Sequence, residues 1–175
     1  MSRYYAGVGS RDTPEEVLRD MTAFARYMED KAILRSGGAA GADTAFEAGV
    51  VNPSNKEIYL PWFRFNNNTS DLCNVTKAAL NLARKYHPRF SALSHPAKML
   101  MARNGYQILG QSLIEPVEFV VCYTADGCES YVTRTRLTGG TGQAIEIASR
   151  LNVPVFNLFR KDRLKELYEY VEENF

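Results

Sequence analysis

The chain has 175 residues, 45% of them hydrophobic and 23% charged, with a formal net charge of +1. That length suits one domain that buries roughly 70% of its unfolded surface, so neither a disulfide nor a metal staple is needed. A nearly neutral balance excludes a chain that is basic throughout, as dedicated polyanion binders usually are, but leaves room for a local basic patch. The three cysteines, Cys73, Cys122 and Cys128, are odd in number and show no Cys-x-x-Cys spacing. This argues against a disulfide framework and for a reducing compartment. The stretch Met1–Gly9 is too short and too polar for a signal peptide. No apolar run approaches the ~20 residues that span a bilayer. A cytoplasmic protein without a membrane partner is expected.

Residues Tyr4–Val8 read as a short buried strand running into the loop Gly7-Val8-Gly9-Ser10-Arg11. Thr13, Pro14 and Glu16 spell a helix start, with an N-cap, a first-turn proline and a capping box. Leu18, Met21, Phe24, Ala25 and Met28 then recur at helical spacing to about Glu29. Ala32–Leu34 is a second strand, followed by Ser36-Gly37-Gly38-Ala39-Ala40-Gly41 and an Ala-rich helix from Ala42 to Ala48, closed by Gly49. Lys56–Leu60 is a third strand, stopped by Pro61, with surface loops at Asn52–Asn55 and Phe63–Thr69. Ser70 caps a predicted helix over Asp71–Tyr86, and another runs from about Pro96 to Leu113. Val117–Tyr123, the most apolar stretch, is a central strand. A polar loop, Thr124–Leu137, leads to Thr138-Gly139-Gly140-Thr141-Gly142 and a helix to Leu151. A strand at Val155–Leu158 and a charged helix from about Asp162 complete the chain.

Short apolar strands alternating with helices predict parallel βαβ units. With no repeat or linker, residues 1–175 form a single domain. The glycine-rich turns lie between strand and helix, which in an open parallel sheet is the carboxyl edge where such folds bind ligands. Glycine lets backbone N–H groups approach an anion, and the next helix N-terminus adds partial positive charge. Any one such loop reads equally well as a mere turn; three on one edge point to a nucleotide. No GxxxxGK[ST] is present, and Gly7-Val8-Gly9 lacks the third glycine of GxGxxG. Arg35 or Ser36 stands where an acidic residue would hold a ribose.

Arg103, in an otherwise apolar helix, reads either as a phosphate clamp or as a surface arginine. Glu146 reads either as a ribose acceptor and acid–base group or as a helix-favouring residue near a positive dipole end. His87 and His95 lack the companions of a metal site, so no metal and no cofactor is expected. Thr133-Arg134-Thr135-Arg136 is a solvated loop or a basic lip over the ligand. The apolar residues of Pro96–Leu113 exceed one buried face and predict a homo-oligomer, a two-fold dimer first.

These residues resemble the SLOG superfamily, which joins DprA/Smf recombination mediators with Lonely Guy (LOG) nucleotide hydrolases. Gly7-Val8-Gly9-Ser10-Arg11 with Thr13-Pro14 is similar to the DprA opening strand and Gly-Ser-Arg loop. Ser36 to Asp43 is similar to the DprA Ser-Gly-x-x-x-Gly-x-Asp loop, and Arg103-Asn104 falls where DprA carries Arg-Asn-Arg and LOG its Arg-Lys pair. Gly139-Gly140-Thr141-Gly142-Gln143-Ala144-Ile145-Glu146 resembles the LOG pattern Gly-Gly-x-Gly-Thr-x-x-Glu, with Gln143 in place of Thr. The resemblance implies an α/β fold, a Rossmann-like open, mainly parallel sheet with helices on both faces.

It also implies a site. Arg103 and Glu146 would be the catalytic pair of N-glycosidic cleavage in a nucleoside monophosphate. Gly9, Ser10, Arg11, Ser36, Gly37, Gly38, Gly41, Asp43, Gly139, Gly140, Thr141 and Gly142 would cradle the nucleotide phosphate. The order of functions at this point places a nucleotide or nucleotide-derived small molecule first, with ribosyl chemistry. DprA-like binding of single-stranded DNA stands second, with affinity weaker than micromolar near physiological salt, and a non-catalytic nucleotide sensor third.

Overall fold

The computed structural model describes all 175 residues, Met1–Phe175. Five strands form one wholly parallel sheet: β1 (Tyr4–Gly7), β2 (Ile33–Ser36), β3 (Lys56–Ile58), β4 (Val120–Cys122) and β5 (Val155–Asn157). Their spatial order is β3-β2-β1-β4-β5. The register pairs Tyr5 with Leu34, Gly7 with Val121 and Val121 with Phe156. Six α-helices join them: α1 (Glu15–Met28), α2 (Ala42–Gly49), α3 (Lys77–Tyr86), α4 (His95–Leu109), α5 (Thr141–Arg150) and α6 (Arg163–Asn174).

Side-chain alternation along the strands divides the core. Tyr5, Leu34, Phe119 and Val121 pack with Phe24 of α1, Phe46 of α2 and Leu167 of α6. The intervening Ala6, Val8, Val120 and Cys122 pack with Ile108 of α4 and Ile145 of α5 on the opposite face. Alternate residues of a strand point to opposite faces, so an all-apolar strand demands helices on both. The fold is therefore the α/β, Rossmann-like sheet expected from the sequence. No helix is long and apolar enough to cross a membrane.

Three expectations are corrected. The capping box at Thr13 does not form: α1 starts at Glu15 without a side-chain cap, and the Thr13 hydroxyl donates instead to Ser10 O at 2.7 Å. The helix expected from Asp71 starts only at Lys77, capped by Thr76, whose Oγ1 accepts from Ala79 N. Ser70 is engaged elsewhere, donating to Ile58 O at 2.6 Å and accepting from Leu72 N, and Leu72 O in turn takes Leu60 N. This local hydroxyl turn, tied to the end of β3, competes successfully with helix. Finally, α4 stops at Leu109 because Gly110 adopts φ 72°, where an added Cβ would stand 2.7 Å from the Arg35 guanidinium. Part of the apolar surface of α4 packs within the chain, while Met99, Leu100 and Met101 stay half-buried. Tyr106 packs against Tyr59 and α3, Ile108 and Leu109 join the sheet core, and Leu100 and Met101 line the pocket described next.

Candidate phosphate-binding site

β1 and β4 are neighbours, yet α1 leaves β1 toward one face of the sheet and α5 follows β4 on the other. Such a switch point opens a crevice beyond the carboxyl ends of the strands. A cavity of about 490 Å³ occupies it. Gly9-Ser10-Arg11-Asp12 approaches from β1, Tyr123 and Ala125 from β4, Arg103-Asn104 and Gln107 from α4, and Gly139-Gly140-Thr141 from the start of α5.

The lining is rich in unused donors. The backbone N–H groups of Gly9, Arg11, Gly140 and Thr141 have no acceptor within the protein. Thr141 heads a ten-residue helix, so its N–H stands at the positive end of the helix dipole. Gly139 has φ 66°, and no atom lies within 4 Å of where its Cβ would be. Bare backbone thus faces the cavity, as an anion cradle requires.

The loop that presents this backbone is organised by one carboxylate. Asp126 accepts from the hydroxyls of Thr124 (2.8 Å), Thr135 (2.7 Å) and Thr138 (2.6 Å) and from Cys128 N (3.2 Å). Burial pushes the Asp126 carboxyl up, but the three hydroxyls outweigh it and hold the group below its ordinary range. Asn104 Nδ2 donates to Gly140 O at 3.0 Å and fixes the loop against α4.

Arg103 is 5% exposed. Its Nη1 donates to Gly37 O and, at 3.2 Å, to Tyr59 O, and its Nε donates to Asn104 Oδ1 at 3.1 Å. Nη2 has no partner in the protein. Gly37 is required for this approach, since a Cβ there would stand 2.6 Å from Nη1 and 2.2 Å from Gln107 Nε2. Burial lowers the pKa of the guanidinium, and the charge of Asp43 opposes that shift. Arg11 is exposed at the mouth of the cavity.

Asp43, at 3% exposure, accepts from Ala39 N at 3.2 Å through Oδ2, while Oδ1 has no partner. Burial drives its pKa to about 6, against the pull of Arg103 and of the Ala39 N–H. An ionised Asp43 accepts from a ligand N–H or O–H; a protonated one no longer repels a phosphate.

Of the residues singled out in the sequence, the cavity gathers Gly9, Ser10, Arg11, Asp43, Arg103, Gly139, Gly140 and Thr141. Ser36, Gly37, Gly38, Gly41 and Gly142 do not line it. The Ser36 hydroxyl is spent on Gly7 O at 2.6 Å, and Gly38 O accepts from Asn66. Gly41 lets α2 approach the Ser10 and Arg11 carbonyls, and Gly142 lies beneath Arg134. Glu146 lies outside the cavity, in an adjoining cleft, paired with Arg134 (3.3 Å) and Arg150 (2.5 Å). Gln107 escaped the sequence reading; it stands four residues after Arg103 on the same helix, and that spacing was the available signal.

No family model matches the chain, and no curated protein matches it. The fold defines an α/β protein with a Rossmann-like parallel sheet and a crevice at its switch point. Among solved structures, it is similar to DNA processing protein A from Helicobacter pylori, a structure that describes that protein's single-stranded DNA binding mode. The two share 18% sequence identity with a TM-score of 0.55, over 97% of this chain and 73% of that one. At that identity the likeness is one of fold.

Proposed function

We propose that this protein binds single-stranded nucleic acid, seating one backbone phosphate in the crevice between β1 and β4. The observation that carries the reading is that one cavity is lined by Gly9, Arg11, Gly140 and Thr141, whose backbone N–H groups have no acceptor in the protein, and by Arg103, whose Nη2 has none either. Donors of this kind, fixed in place before the ligand arrives, are what a phosphate oxygen needs. The similarity of fold to a protein that binds single-stranded DNA favours a polynucleotide over a free nucleotide. The ranking read from the sequence is thereby reversed. Ribosyl chemistry loses support because Glu146 is held by two arginines outside the cavity that contains Arg103. A carboxylate must reach the sugar to assist loss of its base.

The test is fluorescence anisotropy with a labelled oligothymidylate, competed by thymidine monophosphate and by blunt duplex, alongside an assay for released free base over a nucleotide panel. Binding of the single strand, with weak competition by duplex and no base release, is expected. Release of free base on the timescale of enzymatic turnover would return the hydrolase to first place. Absence of both binding and release would refute a nucleotide site altogether.

A further inference from the structure

Beside the crevice lies a second cleft of about 700 Å³, and Gly139 lines both. Its walls carry Lys85, Arg89, Arg134, Arg136 and Arg150 against the single carboxylate of Glu146. Five cations around one depression are conspicuous in a chain whose net charge is +1. They come from three separate elements: the C-terminal turn of α3 and the segment after it, the 134–136 loop, and the last turn of α5. The fold therefore assembles this charge, and no run in the sequence does.

The cations fall into two groups. Arg134 and Arg150 are committed to Glu146. Lys85, Arg89 and Arg136 are exposed and make no ion pair. Nothing in the chain neutralises these three. The cleft also carries aromatic surface. Tyr131 is 42% exposed, and the Arg150 guanidinium lies 4.1 Å from its ring centroid and 5.5 Å from that of Tyr86. Cations alternating with aromatic faces suit a single strand, whose phosphates need charge and whose unpaired bases need stacking partners. A duplex offers no free base faces.

We infer that this cleft is a second nucleic-acid subsite, which takes the phosphates and bases adjoining the one seated in the crevice and makes Gly139 the point where the strand passes from one to the other. This rests on the proposed function of the crevice. The arrangement converts a one-phosphate cradle into a track with direction, since the two ends differ. Backbone N–H groups dominate one end and side-chain cations the other.

The test is the triple variant Lys85→Gln, Arg89→Gln and Arg136→Gln. All three residues are exposed, so the fold is expected to survive, and a melting curve verifies it. Single strands release about 0.7 counterion per neutralised phosphate. The log–log salt slope for a twenty-residue oligothymidylate is therefore expected to become shallower by about 2. Affinity for thymidine monophosphate, which fills only the crevice, is expected to stay the same. Arg11→Ala serves as the contrasting variant and weakens both ligands. An unchanged salt slope in the triple variant, with Arg11→Ala still weakening both, overturns the second subsite and leaves the crevice standing. If wild type binds thymidine monophosphate but not the oligonucleotide, the subsite and the single-strand reading fail together and only a mononucleotide site is left; if it binds neither, the crevice fails as well. Equal wild-type affinity for duplex and single strand overturns the assignment of single-stranded nucleic acid to the cleft.

Discussion

The two arginines of the crevice separate affinity from stability, and the separation is measurable. Arg103→Ala removes a buried guanidinium from three acceptors: Gly37 O, Tyr59 O and Asn104 Oδ1. Two carbonyls lose a donor and Asp43 loses the cation that draws its pKa down. Breaking a buried charge network on one side costs about 3–5 kcal/mol. For a chain of this size each kcal/mol shifts the melting temperature by about 2–4 °C, so a loss of roughly 6–20 °C is expected. Arg11→Ala should leave the melting temperature unchanged, because Arg11 is exposed and forms no ion pair. Its effect falls on the ligand. A charge-assisted hydrogen bond contributes about 1.5–3 kcal/mol, and exposure places Arg11 at the low end, near a tenfold weakening. Calorimetric melting and anisotropy titration on both variants make the comparison. If Arg103→Ala melts with wild type, the guanidinium does not hold β2, β3 and α4 together, and the account of the cavity wall is wrong.

Asp43 titrates near pH 6, so affinity for a phosphodiester, which does not itself titrate there, should rise as pH falls from 7.5 to 5.5 and flatten in Asp43→Asn. The same group links to stability. Its folded pKa lies above its unfolded value, so the folded chain keeps a proton that the unfolded chain loses between about pH 4 and pH 6. Stability should therefore fall as pH rises through that window, and Asp43→Asn should remove this slope in denaturant titrations. Asp126→Ala leaves three threonine hydroxyls without their shared acceptor. Hydrogen exchange over residues 124–140 should accelerate, with ligand affinity falling several-fold as the loop before α5 loses its organiser. Unchanged exchange there would show that the loop is held by other contacts.

Much of the sheet was legible because its signals are local. Apolar runs such as Val120–Cys122 have no other stable use than a strand covered on both faces. The crevice was legible for a similar reason, since Gly9 and Gly139 each follow a strand on the sheet's carboxyl side. What stayed hidden depended on partners distant in sequence. Ser70 reads as a helix cap until β3 offers it the Ile58 carbonyl. Gly37 reads as part of a phosphate loop until Arg103 arrives from α4 and needs the room of a missing Cβ. The basic cleft draws on residues as far apart as Lys85 and Arg150, so no window of the sequence contains it.

Glu146 shows how a motif can be matched while its geometry points elsewhere. Successive residues of an α-helix are about 100° apart, which sets Glu146 about 140° round the axis from Thr141 and about 160° from Ala144. Thr141 and Ala144 line the crevice, so Glu146 faces away from it, toward Arg134 and Arg150. The two readings of this residue then predict different outcomes for one substitution, a loss of turnover in one and a gain of affinity in the other. If Glu146 served cleavage of a glycosidic bond, Glu146→Gln would cut turnover by about 100-fold or more. If it restrains two arginines in a nucleic-acid cleft, Glu146→Gln removes the only carboxylate there and frees both guanidinium groups. Affinity for single strands should then rise, and the salt slope should steepen by about 0.7 for each arginine that gains a phosphate. Titration of the variant at several salt concentrations, with a base-release assay on wild type and variant, decides between them. A variant that binds more weakly than wild type at every salt, with an unchanged melting temperature, would refute the restraint and return Glu146 to the ligand.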